Sequence, residues 1–287
     1  MTPDFKYIKC YRVNVNPALA HDKLRKHAAE ILGKFMMGIF LLFIIEIVVP
    51  EIIGLFLPTT LADVIAHYSH GINPAVLQTL PRVPVCCYIY ALLFNGVFNL
   101  CESLYCLTLI RSREVDYRAL YEGFGYFFKT LAMFVAQTII VSFWAMFFII
   151  PGVIAAINFS QSFFILADDP DKNIFMCMAE SKLRMRGNRK MFIIYLLSFL
   201  PYVLLGAMPA IAVGLLCNID PTTMSGLCIN LALNAPLFCG IAYLSLGRCV
   251  FYELLLNGTF QQFKYKGQDV FRENISNDID RSDREAM

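Results

Sequence analysis

Charge is what this sequence has least of. Only 16% of its 287 residues are Asp, Glu, Lys or Arg, against about 25% in an average soluble domain. Hydrophobic residues reach 58%, where soluble domains run near about 45–50%. That balance excludes an ordinary water-soluble domain. A net charge of +2 gives no basis for a nucleic-acid partner. Catalytic signatures are missing too: there is no HExxH, no GxSxG and no phosphate-binding P-loop. The ten cysteines form no CxxC pair. Cys101, Cys106, Cys239 and Cys249 lie within apolar runs, where a thiol behaves as a small hydrophobe. Asp63, His67 and His70 have the i, i+4, i+7 spacing that puts three zinc-ligand types on one helix face, but their loop is short and its neighbours are ordinary loop residues. No metal and no cofactor are expected. No signal peptide is expected either, because the first apolar run begins near Phe35, too late and too long for one.

Long apolar runs are what the sequence does have. Six stretches, 34–57, 84–110, 127–150, 151–167, 191–217 and 226–256, come near or above the roughly 20 residues that cross a bilayer as a helix. The third and fourth abut at Ile149-Ile150-Pro151-Gly152, where Pro ends the hydrogen-bond ladder and Gly permits reversal. The fold class is therefore an all-α polytopic membrane bundle of about six transmembrane helices, forming one domain over 1–260. A polar, charge-mixed tail follows over 261–287. All but two of the 24 basic residues, Arg82 and Arg248, fall in the termini and in the even-numbered connections. Lys and Arg concentrate in cytoplasmic loops, so both termini are placed inside.

Three basic or mixed segments flank the spans on that inner side and read as amphipathic interfacial helices. The first opens at Asn16-Pro17, an N-cap followed by Pro at the first helical position, with Leu24, Ala28, Ile31 and Phe35 at helical spacing. The second covers 116–128, with Leu120, Phe124 and Phe127 on one side. The third follows Asp168-Asp169-Pro170-Asp171, read as its N-cap. Ile174, Cys177, Met178, Ser181 and Met185 form its softer face, and Gly187 ends it. The exposed cations Lys182, Arg184, Arg186, Arg189 and Lys190 suit an anionic lipid surface or another membrane protein, each contributing about 1 kcal/mol of attraction.

Polar residues inside spans cost about 2.5–3.5 kcal/mol when ionised and so call for an explanation. Glu46 lies about 18 Å into the first span at helical rise. Asn95 and Asn99 share a face of the second span with Glu102. Gln137, Asn158, Gln161 and Arg248 are also well inside, and Glu102 and Arg248 sit at matching depth, placed to pair. Two accounts compete: interhelical hydrogen bonds that fix packing, worth about 0.6 kcal/mol each, or a polar mid-membrane site with Glu46 as its titratable centre. Small residues Gly206, Ala210 and Gly214, four apart in the fifth span, allow close helix approach.

A family resemblance rests on Phe143-Trp144, Ile149-Ile150-Pro151-Gly152, Ala155, Phe164, Ala167-Asp168-Asp169-Pro170, Ser181, Met185, Gly187, Phe192 and Leu197-Ser198-Phe199, with Phe251-Tyr252-Glu253-Leu254 at the end of the last span. In these the chain resembles the bacterial membrane family called domain of unknown function 975, most closely over 116–199. It departs at Pro201-Tyr202 and Arg189-Lys190. The resemblance implies six spans and the cytoplasmic membrane of a bacterium, and brings no activity with it. The sequence thus ranks a non-enzymatic protein that binds lipids or membrane partners through its basic inner face first. A small carrier or lipid transporter with its site around Glu46 comes second. An intramembrane enzyme comes third, because no nucleophile and base converge.

Overall fold

The structure, a computed structural model, describes residues 16–57, 59–68, 84–112, 116–216 and 224–257. Among these residues all regular structure is helical, and the one β contact is an isolated bridge between Thr60 and Pro84. The helices are α1 (Pro17–Phe56), α2 (Leu61–Tyr68), α3 (Val85–Ser112), α4 (Ala119–Glu122), α5 (Phe127–Phe147), α6 (Ile149–Phe159), α7 (Ser162–Asp168), α8 (Ile174–Met185), α9 (Arg189–Leu216) and α10 (Met224–Asn257). A 3-10 turn over Gly123–Tyr126 joins α4 to α5. His70, Arg82 and the tail 261–287 lie outside the described residues.

Six helical stretches are long and apolar enough to cross a membrane: Phe35–Gly54, Val85–Ser112, Ala119–Phe147, Ile149–Asp168, Arg189–Val213 and Ala232–Asn257. They fit a multi-pass membrane protein and match the six expected spans. The ends of α3, α7 and α10 meet through Arg111, Asp168 and Glu253, and the start of α5 joins them where Lys129 donates to the carbonyl of Pro170. We call this the basic end. α3 is the hub, in contact with α1, α5, α7 and α10, while α9 and α10 form the most extensive pair. The largest fully buried side chains, among them Tyr105, Tyr195, Tyr252, Phe192 and Phe251, cluster toward the basic end. At the opposite end of the α5–α6 hairpin, Met146, Phe147, Phe148, Ile149 and Ile150 stand exposed.

Several local expectations are corrected. The reversal between the third and fourth spans falls at Phe148, whose extended backbone (φ −153, ψ 141) separates α5 from α6. Pro151 sits inside the first turn of α6, where its missing N–H costs no ladder bond. Gly152 permits close approach rather than a turn: a Cβ there would lie 2.7 Å from the Cβ of Ala145. The fourth span is broken at Ser160-Gln161. The first amphipathic segment is continuous with the first span, its predicted cap intact: Asn16 accepts from the Ala18 N–H at 3.1 Å. His21 and Phe43 are 22 residues, about 33 Å, apart along a straight helix. Their ring partners Tyr243 and Phe238 are only five residues apart on α10, so α1 bends between them.

The second segment is a short helix and a 3-10 turn, with Leu120 buried but Phe124 40% exposed. The third is α8, capped by Asn173, whose side chain accepts from Phe175 N–H, and not by Asp168–Asp171. Its soft face, Cys177, Met178, Ser181 and Met185, is buried against α6 and α7 inside the protein. Gly187 ends it as expected, at φ +89. In α9, Gly206 makes a close approach: a Cβ on it would lie 2.5 Å from the carbonyl oxygen of Pro236 in α10. Gly240 does the same from the other side, against Tyr202 and Val203.

Candidate functional site

Three helices that the sequence cannot relate to one another, α1, α3 and α10, line two adjacent, half-open cavities that share part of their wall. The inner one, about 150 Å³, is lined by Glu46, Asn95, Asn99, Glu102, Ser245 and Arg248 together with apolar side chains. The outer one, about 430 Å³, is mainly apolar, with Phe43, Ile47, Pro50, Tyr90, Leu237 and Phe238 in its wall together with Asn234. Phe43, Glu46, Asn95, Phe98 and Ile241 line both, so Glu46 stands at their junction. The inner cavity lies nearer the basic end, since its lining residues come later on α3 and α10 and earlier on α1.

Five of the eight sequence-predicted site residues therefore meet: Glu46, Asn95, Asn99, Glu102 and Arg248. Helical spacing brings Asn95, Asn99 and Glu102 together along α3, and the Asn99 amide donates to both the carbonyl and the side chain of Asn95 at 2.8 Å. The expected Glu102–Arg248 ion pair is not formed. Arg248 instead donates to the Ser160 carbonyl at 3.3 Å and lies over the Phe164 ring, 5.8 Å from its centroid. Glu102 Oε1 is buried with no hydrogen-bond partner.

Gln137, Asn158 and Gln161 do not line either cavity. Asn158 and Gln161 are instead tied to the break in the fourth span. Breaking a helix frees backbone groups that a bilayer cannot satisfy, so protein must do it. Ser181 of α8 accepts from the Gln161 N–H at 3.3 Å and donates to the Asn158 carbonyl at 2.6 Å, and Arg248 takes the freed carbonyl of Ser160. Gln137 Nε2 is buried without a partner.

Sequence reasoning missed the ionic network at the basic end. Arg111 donates to Asp168 at 2.5 Å and to Glu253 at 2.6 Å. The Tyr252 hydroxyl donates to Asp168 at 2.5 Å, and Asn257 donates to Glu253 at 2.9 Å. The available signal was the placement of Asp168 and Glu253 at the ends of spans, where a carboxylate has no reason to be buried without a cation. Nearby, buried Glu180 binds Lys172 at 3.0 Å and also Arg184. Burial opposes the charge on Lys172, but the hydrogen bond and charge of Glu180, helped by Asp169, outweigh it and hold the ammonium above its ordinary pKa.

The predicted basic surface is thus uneven. Lys182, Arg186 and Lys190 are exposed, Arg184 is spent on Glu180, and Arg189 is half-buried with Nε unpartnered.

Two further polar centres have structural roles. Asp63 accepts from the Thr60 N–H at 2.9 Å and its hydroxyl at 2.6 Å, while its own N–H reaches Thr60 Oγ1 at 3.3 Å. This reciprocal cap opens α2, and the side-chain bond from Thr60, aided by its N–H, holds the carboxyl below its ordinary pKa. Among the described residues no group of three metal-ligand types gathers. His21 lies among Phe199, Tyr202 and Tyr243. Its Nε2 is 2.8 Å from Ser198 Oγ and its Nδ1 is 2.6 Å from the Tyr243 hydroxyl. Ser198 gives its own proton to the Tyr195 carbonyl at 2.5 Å, so Nε2 carries the ring hydrogen and Nδ1 accepts from Tyr243. Burial lowers the pKa of His21, opposed in part by backbone hydrogen bonding at Ser198.

Comparison with family models, with curated proteins and with solved structures finds no match for this chain.

Proposed function

We propose that the chain is a multi-pass carrier that binds a small ligand in the cavity beside Glu46, with both termini on the cytoplasmic side of a bacterial membrane. The sidedness rests on the distribution of Lys and Arg. The bacterial source, and membership of the family called domain of unknown function 975, rest on the resemblance over 116–199. One observation carries the functional reading: Glu46, Asn95, Asn99, Glu102 and Arg248 come from three separate helices and converge on one cavity. Each costs free energy in an apolar bundle, and the ionised ones are not neutralised by one another.

Purified gently in detergent, the wild-type chain should retain a small molecule visible by native mass spectrometry, and Glu46→Gln should lose it while eluting as the same monodisperse species. Equal occupancy in the two would remove this reading.

The basic-face reading keeps specific support from the exposed Lys182, Arg186 and Lys190. It concerns a surface separate from the cavity and is compatible with carriage.

A further inference from the structure

The charges around the inner cavity define what can neutralise them. Two carboxylates, Glu46 and Glu102, face it with one guanidinium, Arg248. Neither carboxylate lies within 4.0 Å of Arg248 or of any other cation whose side chain the structure describes. Glu102 Oε1 is buried and unpartnered, and Arg248 has only a carbonyl and a ring face. A simple cation would satisfy the carboxylates and be repelled by Arg248. A simple anion would do the reverse. A neutral solute would leave Arg248 and the buried, unpartnered Glu102 uncompensated beside the cavity, where unpaired charge is costly. A ligand bearing both signs at one end answers every group. The outer cavity continues from that point as an apolar chamber of about 430 Å³ walled by Phe43, Ile47, Leu237 and Phe238. It is large enough for a chain of several methylenes, which the inner one, at about 150 Å³, is not.

We infer, resting on the reading that this cavity is the binding site, that its ligand is an amphipathic zwitterion. Its ammonium sits toward Glu46 and Glu102, its anionic group toward Arg248, and its apolar tail in the outer chamber. The Asn95 and Asn99 amides and Ser245 line the inner cavity as neutral polar groups. They tolerate a charged headgroup without fixing its sign. An apolar amino acid and a phosphoethanolamine lipid share this chemistry.

The test compares four probes on the full chain in detergent by calorimetry: octylamine, octanoate, α-aminooctanoate and lysophosphatidylethanolamine. At least one zwitterion should bind about tenfold or more tighter than either singly charged probe, a difference of one log unit in Kd. Which zwitterion wins assigns the source, amino acid or lipid. Arg248→Gln should bring the zwitterion down to the affinity of octylamine, and Glu102→Gln should narrow its advantage over octanoate. If octylamine equals both zwitterions in the wild type and Glu46→Gln still weakens it, the zwitterion assignment falls while the cavity stands as a binding site. If no probe binds, or if binding ignores Glu46→Gln, both fall. Should Arg248→Gln fail to fold, the wild-type ranking and Glu102→Gln decide the matter alone.

Discussion

Two polar regions of this molecule are built from the same residue types and treated in opposite ways. At the basic end Arg111, Asp168, Glu253 and Tyr252 close on one another within 2.6 Å, and Glu180 binds two cations at once. About 14 Å further along α3, Glu102 and Arg248 face one cavity without pairing. In the first region carboxylates and cations repay part of their desolvation by attraction and tie three helix ends together. In the second the cost is left standing. Arg248 holds a freed carbonyl beside that cavity rather than closing on Glu102. The comparison teaches that burial of charge is not by itself the sign of a functional site; burial without a partner is the better sign.

The contrast can be broken or sharpened by experiment. The largest effect is expected at the network. Arg111→Gln would leave Asp168 and Glu253 without their cation. Fully buried pairs lose about 3–5 kcal/mol when one partner is removed; because the Arg111 side chain is 45% exposed, solvent screening reduces the expectation to about 2 kcal/mol. Thermal unfolding in detergent reads this directly, and an unchanged melting temperature would show the network to be ornamental.

An intermediate effect belongs to His21. Replacing it with Leu removes two part-buried hydrogen bonds, for about 1 kcal/mol. Its pKa is lowered from the ordinary 6.5, so the folded state favours the neutral ring. The contribution of His21 is complete above about pH 6.5 and is lost as pH falls through the lowered value. Melting should therefore drop on acidification in the wild type, and His21→Leu should flatten the part of that drop due to this residue. Identical pH profiles would show that His21 does not titrate below its ordinary pKa in the folded chain.

The smallest effect on stability is expected at the cavity. Glu102→Gln removes an unpartnered charge while keeping the volume, so the melting temperature should stay within about 0.5 kcal/mol equivalent of wild type or rise. A large fall would mean that Glu102 is structural, and the difference between the two regions would disappear.

The six apolar runs were legible because hydrocarbon solvent leaves a length requirement that any reader can count. The Asn16-Pro17 cap and the Gly187 terminator were legible because capping is local chemistry. The reversal at Phe148 was not. Pro151 and Gly152 drew attention to themselves, but Pro tolerates a helix's first turn, and Gly152 was needed for contact with Ala145. Asp168 looked like a cap from its neighbours alone, because its real partners, Arg111 and Tyr252, are 57 and 84 residues away. The Glu102–Arg248 pair failed for a related reason: matching depth brings both side chains to one cavity but does not fix the gap between them, and Arg248 is held by the Ser160 carbonyl instead.

By itself the sequence determined that the chain is helical, with six stretches long and apolar enough to cross a membrane, since composition and run length follow from the solvent each segment can tolerate. Only the tertiary structure decided which polar residues pair and which share a cavity. Pairing depends on the rotation of each helix about its own axis, and that is set by packing against neighbours distant in the chain: Gly206 against Pro236, Tyr105 against Phe35, Ser181 against the break at Ser160-Gln161.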